Sequence, residues 1–361
     1  MPFFPDIHNL SPASARLCLC VERFLLTLGL KRGTRLLAAV SGGSDSTALV
    51  FVLCLLAQRL DLRIFALTVD HGLLPEAGAV AARVSAQCAE FGIDCVSRKV
   101  DVLGLAGREH LGIEEAGRKL RYELLEDERA AREAEYSVLG HHSGDLAEDV
   151  LMRLTRGAGW PALGGMKARD DRRRLLRPLL FVKPRDLEAL LLECGLDWFE
   201  DPGNADLRFK RNRLRHTVLP LLLKENPSLD KKIGELWRLA QIDGDYWEEI
   251  LDELLQKHPW RMDACCLTLP RELLRGRHPA VRLRLYHRAL SIFSRVSITG
   301  RRRQARADTL LALDAALAKG RGNARFQLPG GVEAHLAGGA VVFYLKTAKG
   351  MDCHAHFAGS Q

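Results

Sequence analysis

The segment Ser41-Gly42-Gly43-Ser44-Asp45-Ser46 follows a strand-like apolar run, residues 36–40, and precedes a helical apolar pattern that begins at Thr47. Strand, glycine-rich turn and helix start together make an anion site, because the first amides of a helix have no internal partners and its dipole favours negative charge. Gly42 and Gly43 permit positive φ and close approach of the backbone to a ligand, and Ser41, Ser44 and Ser46 add hydroxyl donors. No lysine stands where a Walker A loop needs one, and the third glycine of a dinucleotide fingerprint is missing. The plainer alternative is a tight turn with Ser and Asp as helix caps. The strand before the turn, Asp45 within it and the apolar helix after it favour a nucleotide phosphate.

A second polar cluster runs from Gly140 to Glu148 (GHHSGDLAE). Asp145 and Glu148 are three apart and share a face at a helix start. Acids there complement the dipole as caps, or they hold Mg²⁺, which takes oxygen ligands and bridges carboxylates to phosphates. Beside a phosphate loop the metal reading is preferred. Of His141 and His142, one is expected to pack in the core and the other to line the pocket. Asp70, before His71-Gly72, is a ribose or metal contact or a helix cap, with nothing to choose between them. Arg118, Arg121 and Tyr122 share a helical face with Glu115, either solvated or set against phosphate or an RNA backbone. Five cations, Arg208, Lys210, Arg211, Arg213 and Arg215, flank Phe209. Guanidiniums grip phosphates bidentately, and an aromatic ring stacks on an unpaired base.

The elements that position these clusters alternate. Strands are predicted at 36–40, 63–69, 94–100 and 136–139, and helices at 46–58, 76–91, 113–134 and 143–155. That alternation implies an α/β fold, a doubly wound parallel sheet covered on both faces. Ligands of such sheets sit at the carboxyl ends of strands, where the Ser41 turn, Asp70-His71-Gly72 and His141-His142 all fall. A further strand is expected at 175–180 and a helix at 184–195, closed by Gly195. Residues 220–295 read as helical, with Pro-containing breaks at His258-Pro259 and Leu269-Pro270. A last unit holds a helix at 306–319 and strands at 325–328 and 341–345. The expected divisions are an N-terminal helical segment 1–33, a catalytic domain 34–219, a helical region 220–295, a small α+β domain 296–348 and a tail 349–361.

The chain has 361 residues, enough for two domains, with 47% hydrophobic content and a net charge of +8 that suits a polyanionic partner. Its nine cysteines include no C-x-x-C pair, which argues against a zinc or iron–sulfur site, and the odd number argues against a disulfide framework. Cys353 and His354 to His356 could bind a metal only adventitiously. No run approaches the ~20 apolar residues of a membrane span, and no signal peptide is read at the N-terminus. A cytoplasmic, non-membrane protein is expected.

The turn resembles the SGGxDS signature of the PP-loop (adenine nucleotide α-hydrolase-like) ATP pyrophosphatases. Together with VDHGL, EEAGRKLRY, LGHHSGDLAEDVLMRLTRGAG, LLRPLL and WFEDPGNADLRFKRNRLRHTVLPLL, the chain resembles the tRNA(Ile)-lysidine synthetase family, from about residue 36 to 220 and more weakly to 345. The resemblance implies ATP and Mg²⁺ as cofactors, and tRNA(Ile) with a CAU anticodon and free L-lysine as substrates; a homodimer is left open. It implies adenylation of the wobble cytidine at C2, then attack by the lysine ε-amine, with Ser41 to Ser46 and Asp70 on the nucleotide. Asp45, Asp145 and Glu148 would hold the metal, and His142 and Glu148 are the candidate bases. Arg118, Arg121, Arg153, Arg156, Arg208, Lys210, Arg211, Arg213 and Arg215 would contact phosphate or tRNA. The chain departs from the family's pattern at Gly144 and Asp149 in HHxDDxxET, at Gly203 in DPSN and at Leu74 in DHGLR. The rivals are a PP-loop tRNA thiolase, which would use cysteine pairs absent here, and a non-catalytic nucleotide- or RNA-binding protein.

Overall fold

A computed structural model describes residues 6–73, 77–200, 203, 206–263, 266–293 and 307–345. Leu74, Asp201, Pro202, Asn204, the basic run 301–303 and the segment 350–361 with its Cys and His residues lie outside them. The chain divides into two compact units, residues 1–243 and 244–361. The division falls inside the helix of residues 229–257.

In the first unit, β1 (Arg35–Ala39), β2 (Arg63–Asp70), β3 (Asp94–Lys99), β4 (Tyr136–Val138), β5 (Arg169–Asp170) and β6 (Leu175–Leu176) form one sheet. Its order is β3-β2-β1-β4-β6-β5. All neighbours are parallel except β5 with β6. The helices are α1 (Pro12–Thr27), α2 (Ser44–Leu60), α3 (Ala77–Glu90), α4 (Val102–Glu109), α5 (Ile113–Ala131), α6 (Ser143–Leu154), α7 (Pro184–Glu193), α8 (Lys210–Arg213) and α9 (Leu219–Glu225), and α10 (Leu229–Lys257) carries the boundary.

Side chains of β1 alternate between faces, as pleating requires. Leu36 and Ala38 join the core that buries α2 and α7, while Leu37 joins Leu67, Leu125 and Leu175 in the core under α5. Helix α2 is apolar nearly all round because it is buried between the sheet, α1 and α7. Both faces of the sheet are thus covered, as the α/β alternation predicted.

The strand expected over 175–180 shortens to β6. The Arg177 N–H still bonds to the Ala168 carbonyl at 2.8 Å, in register with the β5–β6 pairing, but the parallel pairing with β4 ends at Leu176. Helix α4 went unpredicted, since Gly104 and Gly107 weaken its helical pattern. Asp101 caps it, accepting from the Gly104 N–H at 2.7 Å.

The second unit holds an antiparallel sheet, β7 (Arg261–Met262), β8 (Cys266–Leu269), β9 (Arg325–Leu328), β10 (Val332–Ala337) and β11 (Ala340–Leu345), with α11 (Arg271–Leu274), α12 (Pro279–Phe293) and α13 (Ala307–Ala318). Strands β7 and β8 lie between the two Pro-containing breaks, at 258–259 and 269–270, of the stretch read as helical. Buried Asp314 receives a two-pronged contact from Arg282, at 2.6 and 2.7 Å, and the Tyr286 hydroxyl at 3.2 Å.

Candidate active site

The chain runs from β1 outward to β2 and β3, then returns to the other side of β1 for β4. The strand order reverses between β1 and β4, and a crevice opens there at the carboxyl edge. Ser41 to Ser46 follow β1, and His141 and His142 follow β4, so two of the three polar clusters flank the reversal. The third, at Asp70, ends β2 on the same edge.

Helix α2 starts at Ser44, earlier than the expected 46, so Ser44, Asp45 and Ser46 form its first turn. Gly43 stands at the N-cap and supplies no side-chain oxygen. The Ser46 hydroxyl turns back instead, accepting from the Ser41 N–H at 3.1 Å and donating to the Gly43 carbonyl at 3.0 Å. The amides of residues 42–46 have no partner among the described residues. Gly42 has φ +86°, and a Cβ there would meet Val80 and Val84 at 3.1 and 3.0 Å, so only glycine fits. The Gly42 carbonyl accepts from the Phe199 N–H at 2.8 Å, which buttresses the turn from behind.

On the β4 side, Gly140 lies against the turn. A Cβ on it would come within 2.9 Å of the Asp45 carbonyl oxygen and 3.2 Å of the Ser46 nitrogen. The two clusters are therefore in backbone contact across the reversal.

His142 caps α6. Its Nδ1 accepts from the Gly144 and Asp145 amides at 3.0 and 3.3 Å, and the Asp145 carboxylate accepts from the His142 N–H at 3.0 Å. The ring is 4% exposed. Its Nε2 faces Asp45 Oδ2 at 3.4 Å and Asp145 Oδ2 at 3.6 Å. Burial pushes the imidazole down, but the hydrogen bond to Asp45 and the charges of Asp145 and Asp45 outweigh it and leave its pKa raised. With Nδ1 accepting from amides, the ring's proton resides on Nε2, which faces the two carboxylates, and His142 offers no lone pair for a base. The expected catalytic base is a structural cap. Gly144 leaves room for it, since a Cβ there would sit 2.9 Å from the ring.

Asp145 and Glu148, 6% and 1% exposed, lie under two guanidiniums. Arg211 donates to Asp145 and to Glu148 Oε2, the latter at 2.5 Å. Arg215 donates to Glu148 Oε1 and to Asp145 Oδ1, the latter at 3.3 Å. Arginines four apart on one helical stretch thus meet acids three apart on another. A wide π turn, Leu214–Val218, joins α8 to α9 beside this contact. Burial alone would raise the Asp145 carboxyl, but His142, Arg211 and His141 together hold it below its usual range.

This arrangement corrects two expectations. Asp145 and Glu148 do not fit Mg²⁺ as arranged, since every carboxylate oxygen already accepts a proton-bearing nitrogen. No group of three or more His, Cys, Asp or Glu suited to a metal exists among the described residues. Asp45 alone keeps an unused oxygen, its buried Oδ1 being unpartnered. Arg211 and Arg215, expected on nucleic acid, neutralise these acids instead.

The other cations divide as well. Arg153 is tied to Asp149 at 2.7 Å and to the Ala162 carbonyl. Arg213 props the preceding loop through the carbonyls of Leu207 and Arg208. Arg208 is exposed but paired with Asp206. Arg118, Arg121, Arg156, Lys210 and Phe209 remain solvent-exposed. Arg121 donates to His71 Nε2 at 3.2 Å, and Arg118 lies over the Tyr122 ring at 5.0 Å. Asp70 closes its own turn, Oδ1 accepting the Gly72 N–H at 2.7 Å.

Residues 19–222 match the PP-loop domain family. The chain is 44% identical over 327 residues to the tRNA(Ile)-lysidine synthase of Nitratidesulfovibrio vulgaris, covering 86% of this chain and 92% of that one. It is 34% identical to the tRNA(Ile)-lysidine synthase of Thermobifida fusca, covering 83% and 89%. With the enzyme of that name from Geobacter sulfurreducens it shares 36% identity, covering 79% of this chain but 61% of that one. Among solved structures, the U34-tRNA thiolase NcsA of Methanococcus maripaludis superposes with a TM-score of 0.53 at 18% identity, covering 63% of this chain and 79% of that one. That likeness speaks to the fold alone.

Proposed function

The chain belongs to the tRNA(Ile)-lysidine synthase family of PP-loop enzymes, and on that footing we propose how its residues divide the work of an ATP-dependent tRNA modification. The substrates are ATP, tRNA(Ile) with a CAU anticodon, and free L-lysine. In the first step the C2 carbonyl oxygen of the wobble cytidine attacks the α-phosphorus of ATP, and the bond to the β-phosphate oxygen breaks to release pyrophosphate. In the second, the ε-amine of lysine forms a bond to C2, and the adenylated oxygen leaves with AMP.

The observation that carries the reading is the row of unpartnered amides at residues 42–46, set at the strand-order reversal. Those N–H groups and the α2 dipole hold phosphate oxygens and favour the negative charge that builds on the departing pyrophosphate. They are preorganised, because Ser46, Gly42 and Phe199 fix the turn through protein contacts that leave the amides outward. Asp45 stays in the site through its free Oδ1. A bound Mg²⁺ would supply charge neutralisation, but the trio Asp45, Asp145 and Glu148 does not fit it here, and no step is routed through it.

The lysine amine attacks only when neutral, and its free pKa is ~10.4. His142 is a cap, and Glu148 is saturated by guanidiniums, so neither takes that proton in this arrangement. Arg118, Arg121, Arg156, Lys210 and Phe209 stay available to an anticodon loop, whose flipped base suits a stacking ring. The soluble, cytoplasmic setting of tRNA fits a chain in which no described helix is long and apolar enough to cross a membrane.

Incubation with a CAU-anticodon transcript, ATP and labelled lysine tests the reading. Label should enter the tRNA, with one AMP and one pyrophosphate formed for each lysine. No incorporation into a transcript that a known family member modifies would remove the assignment.

A further inference from the structure

The segment LLRPLL at residues 175–180 has no part in the chemistry above, yet its arginine reaches the site. Arg177 is 5% exposed, and no carboxylate lies within 4 Å of it among the described residues. Its Nε donates to His141 Nδ1 at 3.0 Å, and a terminal nitrogen donates to the Lys167 carbonyl at 2.6 Å. Strand pairing sets this geometry. Leu176 on β6 sits beside Val138 on β4, and the Leu139 N–H bonds to the Leu176 carbonyl at 3.0 Å. Each chain then leaves its strand within a few residues, one at Arg177 and the other at His141.

A guanidinium has only donors, so the imidazole nitrogen that faces it must present a lone pair. The single proton of a neutral His141 therefore resides on Nε2. That nitrogen makes no hydrogen bond among the described residues, and the ring is half-buried. Burial, with the charges of Arg177, Arg211 and Arg118, pushes the ring down to about 3 against the pull of Asp145. At the end of β2, Arg121 faces Nε2 of His71 and the opposite tautomer results, its Nδ1 buried and unpartnered. Of the two arginine-bound imidazoles, only that of His141 turns its proton outward. His141 also follows Gly140 directly, whose backbone touches the phosphate turn at Asp45.

We propose that Arg177 is a positioning residue that fixes His141 as a neutral Nε2–H donor to a phosphoryl oxygen of the bound nucleotide. The inference rests on the adenylation reading, and it assigns a task to a histidine other than the one expected from the cluster. A neutral imidazole donates its Nε2–H to the oxygen and lacks the second, acidic proton that an imidazolium would give up.

Two readouts test it. In protein labelled with ¹⁵N-histidine, long-range ¹H–¹⁵N spectra should show His141, identified by its loss in His141→Gln, in the Nε2–H form. Arg177→Met should convert it to a mixture of tautomers, and Arg177→Lys should restore the Nε2–H form in part. A Nδ1–H tautomer in the wild-type protein overturns the proposal even if Arg177→Met fails to fold. In tRNA-dependent pyrophosphate release, His141→Phe should lower kcat roughly 100-fold, the scale of one lost donor to developing charge. His141→Gln, which keeps an N–H at the place of Nε2, should stay within about tenfold of wild type, with KM for ATP changed by less than about twofold in both variants. Equal activity of the Gln and Phe variants overturns it. Absence of any pyrophosphate release by the wild-type chain would instead sink the adenylation reading, while the spectra still report the tautomer.

Discussion

Gly140→Ala asks whether the phosphate turn is held in place from the β4 side. The added Cβ would stand 2.9 Å from the Asp45 carbonyl oxygen, 3.1 Å from its carbon and 3.2 Å from the Ser46 nitrogen. Ordinary contact begins near 3.4 Å, so the two backbones must part by about 0.5 Å. Neither can swing away as a side chain would. Val138 is paired with Ala38 in the sheet, and Ser46 is locked into α2 and bonded to the Gly43 carbonyl. Overpacking of this kind costs roughly 1–3 kcal/mol, which lowers Tm by roughly 2–12 °C in a unit of this size. Misplacing reacting groups by 1 Å can cost ~100-fold in rate. Half that shift at the amides that carry the pyrophosphate should cost about tenfold or more in kcat. The assay is tRNA- and lysine-dependent pyrophosphate release at saturating ATP, below the variant's Tm. Gly107→Ala, where the new methyl meets nothing within 4 Å, is the control and should retain wild-type turnover. A Gly140→Ala protein with wild-type kcat would refute the claim that the turn's position depends on this contact.

Three further outcomes follow from the same geometry. Because Arg211 and Arg215 both bond Asp145 and Glu148, Arg211→Gln or Arg215→Gln alone should cost less than half of what the double variant costs. Loss of both leaves buried unpaired carboxylates worth roughly 3–5 kcal/mol; additive single effects in urea unfolding would contradict a shared pair. His71 is held at about 4, chiefly by burial and then by Arg121. The unfolded chain therefore takes up a proton near 6.5 that the folded chain refuses, and the stability this group contributes is full above 6.5 and is lost as pH falls towards 4. His71→Gln should flatten the urea midpoint between pH 7 and pH 5 relative to wild type, and unchanged slopes would contradict it. Lys210→Gln and Arg156→Gln should each reduce the salt slope of tRNA binding by about one, whereas Arg153→Gln should leave it unchanged.

Much of the site was legible because it is local. A strand, a glycine turn and an apolar helix lie within residues 35–60, and the periodicities of β1 and α2 announce both elements and the turn between them. The convergence of three clusters on one edge followed from the α/β alternation alone. The unread parts depend on partners distant in sequence. The i,i+3 acids at Asp145 and Glu148 and the i,i+4 arginines at Arg211 and Arg215 are each visible, but only packing brings together helices more than 60 residues apart. Two cations spaced to match two acids are the available signal, but spacing alone does not show that the two pairs face each other. The capping role of His142 is hidden because histidine is not among the favoured N-cap residues, and the room left by Gly144 allows it. Strand β10 hid between glycines, and its antiparallel partners β9 and β11 supply the order that its composition does not.

The most direct test of the account is a crystal structure of this chain with a non-hydrolysable ATP analogue. The account predicts phosphate oxygens within hydrogen-bond distance of the amides of residues 42–46, between the ends of β1 and β4. A nucleotide seated elsewhere, with those amides turned to protein partners, would contradict it.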